Sequence, residues 1–257
     1  MCVSSGTACF SHTILYAGLR DHPEHGPITV FGHQNTAVNH VDGPNCLILH
    51  LPTNSLNLIP TGRSTDLLTR LREPTEPDFY SLELPAQASI VPHDVYTVVL
   101  APNPTHIPTA LEAVPPSRRP TLSPDLLEFY ADTFPGHAIA LCCFDNAEAR
   151  RSKPLLLWYR PTDPDLVVLP GLHSHAGRVP DPIELVPTDH YLLFGTDDPD
   201  WGEHYEHDPA MRHTLRSYLP ASVRGYPVTK HLRNGDYALK TTDLRSGAIE
   251  KIRRRRF

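Results

Sequence analysis

The chain has 257 residues, a formal net charge of −6 at pH 7 and an apolar fraction of 40%. This length allows one large domain or two small ones and a sizeable core, and the negative charge argues against general nucleic-acid binding. The 28 prolines are about twice the usual share, which predicts stiff loops and short helices. No long apolar run and no signal-peptide pattern is present, so we expect a cytoplasmic protein with no transmembrane helix.

The first third of the chain predicts strands followed by a helix. Runs rich in β-branched and aromatic residues, bounded by Gly, Pro and Asn, predict strands over 12–18, 27–33 and 45–51. The spacing of leucines over 64–73 predicts a helix, with Ser64 as its N-cap and Pro74 ending it. The short gaps between the strands favour hairpins or a meander.

The rest of the chain predicts more strands than helices. Helices are predicted over 108–114, 123–134 and 208–219, the last with Asp208 as its cap, and strands over 94–102, 165–172 and 190–195. We also expect 137–144 and 154–161 to pair, and Asn234-Gly235 to close a hairpin within 226–242. Because strands and helices do not alternate, the pattern favours an α+β fold, with a mainly antiparallel sheet and a few short helices packed on it. A single domain over 1–257 is expected, with a soft boundary near 115–122 and a basic tail over 251–257.

Cys2 is the sharpest chemical feature of the sequence. Met1 is removable before so small a side chain, and its removal leaves Cys2 with a free amine beside its thiol. An α-amine titrates near neutrality and can take the thiol proton, so one residue supplies nucleophile and base. This predicts a cysteine-dependent amide hydrolase or acyltransferase acting on a small-molecule or peptide amide. A frayed terminus with an ordinary cysteine is the alternative.

The opening of the chain resembles the cholylglycine hydrolase family. The likeness lies in Met1-Cys2 followed by the sequence GLRD at 18–21, and it covers only about the first twenty residues. The Asn-Leu that the family has between these features is missing. The resemblance implies that Arg20 steadies the thiolate and that Asp21 orients the amine.

Polar residues concentrate at the end of the second predicted strand, in the sequence FGHQNTAVNH at 31–40. This segment resembles the GHNG-type oxyanion segment of class II glutamine amidotransferases, although it lacks the Gly after the first Asn and lies much nearer the Cys. The resemblance implies that Asn35 polarises a substrate carbonyl, and His33 is a candidate acid or base. The alternative is a polar turn whose side chains bond their own backbone.

A second histidine-rich segment, PGLHSHAGR at 170–178, is a candidate for substrate binding. His173 and His175 share one face if the segment is extended, and with Arg178 they form a group that binds anions. The same pair with His190 is an alternative zinc site of a metal-dependent hydrolase. A plain polar loop in a non-enzymatic binding or scaffold protein is the third interpretation.

Other chemistry has little support in the sequence. There is no GxGxxG, P-loop or GxSxG motif, so no cofactor is expected apart from the alternative metal. The five cysteines form no CxxC pair, and Cys142 and Cys143 are expected in a buried strand. The arginine run of the tail is a candidate contact for an acidic partner, although the acidic chain makes nucleic acid an improbable one. The sequence does not indicate an oligomeric state.

Overall fold

The computed structural model describes residues 3–39, 42–62, 64–76, 96–148, 153–207, 211 and 213–255. The strands are β1 (Val3–Ser4), β2 (Ala8–His22), β3 (Gly26–Asn39), β4 (Pro44–Leu51), β5 (Asn57–Ile59), β6 (Thr97–Ala101), β7 (Ala138–Asp145), β8 (Leu155–Tyr159), β9 (Leu166–Leu169), β10 (Leu185–Pro187), β11 (His190–Thr196), β12 (Glu203–His204), β13 (Ser222–Val228), β14 (His231–Arg233), β15 (Asp236–Lys240) and β16 (Arg253–Arg255). The helices are α1 (Leu67–Arg72), α2 (Ile107–Leu111), α3 (Pro124–Thr133), α4 (His213–Arg216) and α5 (Thr241–Arg245).

The largest sheet has seven strands in the order β12-β13-β11-β2-β3-β8-β5. The long hairpin of β2 and β3 forms its centre, and β11 runs parallel to β2 while the other pairs are antiparallel. A second sheet has the order β1-β4-β7-β6 and is antiparallel throughout. The α+β class with mainly antiparallel sheet is therefore confirmed.

The two large sheets pack face to face as a sandwich. Side chains that alternate inward along β2 and β3, such as Leu15 and Phe31, share one buried cluster with Leu47 and Leu49 of β4. This alternation is the two-residue period that a strand with one face in the core requires. His33 of β3 and His190 of β11 lie on the same inner faces as Phe31 and the buried leucines, so the fold carries two imidazoles into the sandwich.

Helices cover the outer faces of the sandwich. The apolar stripe of α1, Leu67, Leu68 and Leu71, packs with the outward side chains of β2 and β3. Helices α2 and α3 pack on the outer face of the four-stranded sheet, in a buried cluster that also contains Cys46 and Cys143. Cys142 lies in the inner core, so the expectation of two buried cysteines in one strand is confirmed.

Two predicted strand pairs are wrong. The strands at 137–144 and 154–161 belong to different sheets, because β7 pairs with β4 and β6 whereas β8 pairs with β3 and β5. The Asn234-Gly235 turn does not close a hairpin either. Strand β14 pairs with β10, and β15 pairs with β9 and β16, so this turn passes the chain between two small sheets.

Several predicted boundaries also change. Helix α1 begins at Leu67 with Asp66 in the N-cap position instead of Ser64. Of the predicted helix over 208–219, the structure has α4 (His213–Arg216), and positions 208–210 and 212 lie outside the described residues. Part of the expected tail is a strand, because Arg253–Arg255 form β16. Among the residues that the structure describes, no helix is both long and apolar enough to cross a membrane.

Candidate functional site

The first described strand is docked against the second histidine-rich region. We call Gly171–Arg178 the histidine segment. Val3 is 1% exposed and forms a parallel bridge with Ser174. The Ser4 N–H donates to the Ser174 carbonyl at 3.0 Å, and the Gly177 N–H donates to the Ser4 carbonyl at 3.0 Å. Cys2 lies outside the described residues, but the residue bonded to it is fixed at this segment.

A tight turn in the histidine segment allows the first strand to pack closely against it. Ala176 and Gly177 have φ values of 58° and 68°, in the left-handed region that L side chains rarely adopt. A Cβ at Gly177 would lie 3.4 Å from the Ser5 carbonyl oxygen, so the turn approaches the first strand closely. As a result, His175 Nδ1 lies 3.0 Å from Ser4 Oγ.

Side chains from the far end of the chain hold the backbone of the histidine segment. The Asn234 side chain accepts the His173 N–H at 2.9 Å and donates to the His173 carbonyl at 2.8 Å. Asp236 accepts the Gly171 N–H at 2.9 Å, and Arg254 donates to the Gly171 carbonyl at 3.1 Å. The backbone N–H and carbonyl groups of Gly171 and His173 are thus hydrogen-bonded by side chains instead of by a neighbouring strand.

Asp236 is also half of a buried hydrogen-bonded pair. Its second carboxylate oxygen lies 2.7 Å from His50 Nε2, and the two residues are 3% and 1% exposed. Although burial alone raises it, the net effect of His50 and the Gly171 N–H is to hold the pKa of Asp236 below its ordinary value. Asp236 thus links Gly171 of the histidine segment to His50 of β4.

Four histidines of β3, β11 and the histidine segment interact with one another, and we call His33, His173, His175 and His190 the imidazole cluster. The rings of His173 and His175 meet at right angles with centroids 4.4 Å apart. His33 and His190 are each 2% exposed, and His190 Nδ1 shares a hydrogen bond of 2.8 Å with the Tyr237 hydroxyl. The cluster therefore joins β3, β11 and the histidine segment.

Burial keeps the imidazole cluster neutral at pH 7. Desolvation lowers the pKa of His33 and of His173 to about 3, that of His175 to about 4, and that of His190 well below its ordinary value. Both ring nitrogens of His33, Nδ1 of His173 and Nε2 of His190 are buried without a hydrogen-bond partner among the described residues. Buried polar side-chain atoms without a hydrogen-bond partner are rare in native structures.

Arg20 and Asp21 are not part of this cluster. Arg20 forms an ion pair with Asp197, and the Asp21 N–H donates to the same carboxylate. Both residues line a different cavity of about 480 Å³. Along β2, Arg20 lies five residues beyond Leu15, the residue opposite His33, which is roughly 16 Å at 3.3 Å per residue. Arg20 and Asp21 therefore lie apart from the imidazole cluster, and their roles beside the thiol stay predictions.

The remaining predicted residues are distributed as follows. Asn35 is 1% exposed and shares the inner face of β3 with His33 by alternation, whereas Arg178 is exposed at the end of the histidine segment. No three His, Cys, Asp or Glu side chains within the described part of the chain are placed to hold a metal ion. The alternative zinc site on His173, His175 and His190 is thus not supported.

Sequence reasoning missed Ser4, Asn234, Asp236 and Arg254. Asn234 was assigned to a turn and Arg254 to the tail, because each stands in a local pattern that has an ordinary explanation. The roles of these residues depend on contacts across more than 60 positions. A single sequence holds no local signal for them.

Comparisons with known proteins find little. No family model matches the chain, and no curated protein matches it. Among solved structures, the crystal structure of baculovirus P35 aligns with a TM-score of 0.49 and 10% sequence identity, over 94% of this chain and 92% of that chain. A similarity of this size does not establish a common fold or activity.

Proposed function

We propose that the protein is a cysteine-dependent amide hydrolase or acyltransferase, with the Cys2 thiol as nucleophile and His175 as its base. The observation that carries this proposal is the docking of Val3 and Ser4 on the histidine segment. Neighbouring Cα atoms are 3.8 Å apart, so the Cys2 sulfur lies within about 7 Å of the Val3 Cα in any conformation. This covalent reach supports the proposal that the thiol acts beside the histidine segment.

The hydrogen bonds of Ser4 support the assignment of the base. The Ser4 hydroxyl donates its one proton to the Gly6 carbonyl at 2.9 Å. Its contact of 3.0 Å with His175 Nδ1 then requires that nitrogen to donate, which leaves Nε2 with the free lone pair. An imidazole oriented by a third group is the arrangement that an activated nucleophile needs. This base does not require the free amine of Cys2.

The reaction follows from these roles. His175 Nε2 takes the thiol proton, and the thiolate beside the new imidazolium raises the low pKa of that ring. The sulfur attacks the substrate carbonyl, the C–N bond breaks, and the amine leaves with the proton from His175. Water or another acceptor then attacks the thioester and releases the acyl group and the thiol. Asn35 remains the predicted donor to the oxyanion.

Acylation of the intact protein tests the proposal. Incubation with p-nitrophenyl acetate should release nitrophenolate in a burst, and peptide mapping should place one acetyl group on Cys2. General base catalysis is worth about 100-fold or more, so His175→Gln should slow the burst by that factor. The matched control is His204→Gln, which changes an exposed histidine outside the site.

Two results would contradict the proposal. The first is acetylation that spreads over surface lysines with no preference for Cys2. The second is a burst rate unchanged in His175→Gln, which indicates a thiol of ordinary reactivity and favours the binding or scaffold alternative. Intact mass determines in the same experiment whether Met1 has been removed.

A further inference from the structure

Two cysteines lie directly opposite each other on neighbouring strands of the four-stranded sheet. In the antiparallel register of β4 and β7, Cys46 is the partner of Cys143, and Leu47 is the partner of Cys142. Residues directly opposite each other in such a pair project their side chains from the same face. Their Cα atoms are about 4.5 or 5.5 Å apart, within the range of about 4.4–6.8 Å that a disulfide requires. The register therefore allows a bond between these two sulfur atoms without a shift of either strand.

The packing of the sheet separates this pair from the neighbouring cysteine. Cys46 and Cys143 belong to the buried cluster on the outer face of the sheet, whereas Cys142 belongs to the cluster between the two large sheets. Adjacent residues of an extended strand point to opposite faces, so Cys142 is directed away from the pair. Among the cysteines whose side chains the structure describes, all three of them free, only Cys46 and Cys143 are placed to react with each other.

The two thiols are neutral at pH 7 and close enough to affect each other's ionisation. Burial raises the pKa of Cys46 to about 11 and that of Cys143 to about 12, and the charge of a Cys46 thiolate adds to the shift of Cys143. Hydrogen bonds from Ser5 to the Cys46 sulfur oppose the effect of burial on that thiol. Cys46 therefore has the larger thiolate fraction, and it is the thiol that reacts first with an oxidant.

The contact with Ser5 also gives the Cys46 sulfur a route to solvent. Ser5 is half-buried, and Thr7, in the same loop between β1 and β2, is exposed. Both cysteines of the pair are themselves 0% exposed, so a large disulfide reagent has no access to them in the folded protein. A hydroperoxide such as hydrogen peroxide is the class of oxidant that is small enough for this position.

We infer that Cys46 and Cys143 form a redox-active pair, which a hydroperoxide converts into a disulfide between β4 and β7. The Cys46 thiolate attacks one peroxide oxygen, the O–O bond breaks, and the sulfur becomes a sulfenic acid as hydroxide leaves. The Cys143 thiol then attacks that sulfur, the S–S bond forms, and the sulfenic hydroxyl leaves with the thiol proton as water. The hydroxide takes up the proton that Cys46 lost, so two thiols give up two electrons and one peroxide becomes two waters.

The disulfide joins the two middle strands of the sheet, whose order is β1-β4-β7-β6. It closes a loop of about 100 residues, and cross-links that close long loops restrict the unfolded chain most. Strand β6 and helices α2 and α3 lie within this loop. The oxidised protein should therefore be more resistant to unfolding than the reduced protein. The inference is independent of the nucleophile proposed above.

Peptide mapping of the oxidised full-length chain tests the inference. The folded protein is incubated with hydrogen peroxide at mildly alkaline pH, the remaining thiols are blocked, and the protein is digested without reductant. We expect two peptides joined through Cys46 and Cys143, and a urea midpoint that is higher by about 1 M than that of the reduced protein. Dithiothreitol should reverse both changes.

Alanine variants identify the two sulfur atoms. Cys142→Ala is the matched control, because it removes the adjacent thiol on the opposite face, and it should leave the cross-link and the rise in midpoint intact. Cys46→Ala and Cys143→Ala should each abolish both. If neither of these two variants folds, the peptide map of the unmodified protein still identifies the joined residues.

Three results would overturn the inference. The first is that both thiols stay free, or become sulfinic acids, while the protein remains folded in peroxide. The second is a bond from either cysteine to Cys142 or to another thiol in place of the expected pair. The third is a cross-link that forms only after the protein has been unfolded in urea. None of these results affects the acylation test of Cys2.

Discussion

The buried histidines predict that the protein loses stability as the pH falls from 7 to 5. An unfolded histidine takes up its proton near pH 6.5, whereas desolvation lowers the pKa of folded His33 to about 3. Between these values the unfolded chain binds more protons than the folded one. The contribution to stability is therefore full above pH 6.5 and decreases as the pH falls toward 3.

The size of the effect follows from the two fully buried rings. For His33 the free energy of unfolding should decrease by about 2 kcal/mol between pH 7 and pH 5. His190 is equally buried and burial also lowers its pKa, so its contribution should have the same sign. In a chain of this size the contribution of His33 alone lowers Tm by about 5 °C. Asp236 does not contribute, since its pKa lies below this pH range in both states.

Urea unfolding at pH 7 and pH 5 measures this decrease directly. His33→Phe keeps a ring of similar size but does not titrate, so its decrease should be smaller by about 2 kcal/mol than that of the unmodified protein. His231→Gln, at an exposed position, is the matched control and should change nothing. Equal decreases in His33→Phe and in the unmodified protein would refute the reasoning.

Further predictions concern the supports of the site and the sandwich core. Asn234→Ala removes both hydrogen bonds to one peptide of the histidine segment and should lower the free energy of unfolding by about 2 kcal/mol in urea. Asp236→Leu should cost about 1–3 kcal/mol for each buried donor, His50 and the Gly171 N–H, that it leaves without an acceptor, and adding His50→Phe should restore part of that loss. Gly18→Ala should destabilise by about 2 kcal/mol, since the new Cβ would overlap a buried tyrosine hydroxyl, whereas Gly136→Ala has nothing within 4 Å and should be neutral in the same thermal scan.

The sequence predicts the elements of this fold better than their pairing. The strands at 12–18, 27–33 and 45–51 appear as β2, β3 and β4, because a two-residue period with β-branched residues is a local property. The hairpin at Asn234 fails because its flanking strands find partners in different sheets, which no local pattern records. Turn residues determine where the chain changes direction, but they do not determine which strands pair with each other.

The candidate site shows the same division. His173, His175 and His190 are singled out by residue type alone, and the structure brings them to one place. Arg20 and Asp21 are singled out by nearness in sequence to Cys2, but they lie apart from the imidazole cluster because an extended strand carries each residue about 3.3 Å further from its start. The hydrogen bonds from Asn234 and Asp236 to the histidine segment are evident only in the folded structure, because both residues lie in the last quarter of the chain.

The bridge between Val3 and Ser174 also orders events during biosynthesis. The first strand pairs with β4, which follows about 45 residues later, but its second partner, Ser174, emerges only after about 170 further residues, which at 5–20 residues per second takes roughly 10 to 35 s. Throughout that interval Val3 and Ser4 lack their contacts with the histidine segment. Enzymes that trim or modify new chains can reach these residues during that time. Once the histidine segment has been synthesised, backbone hydrogen bonds hold the same residues in place.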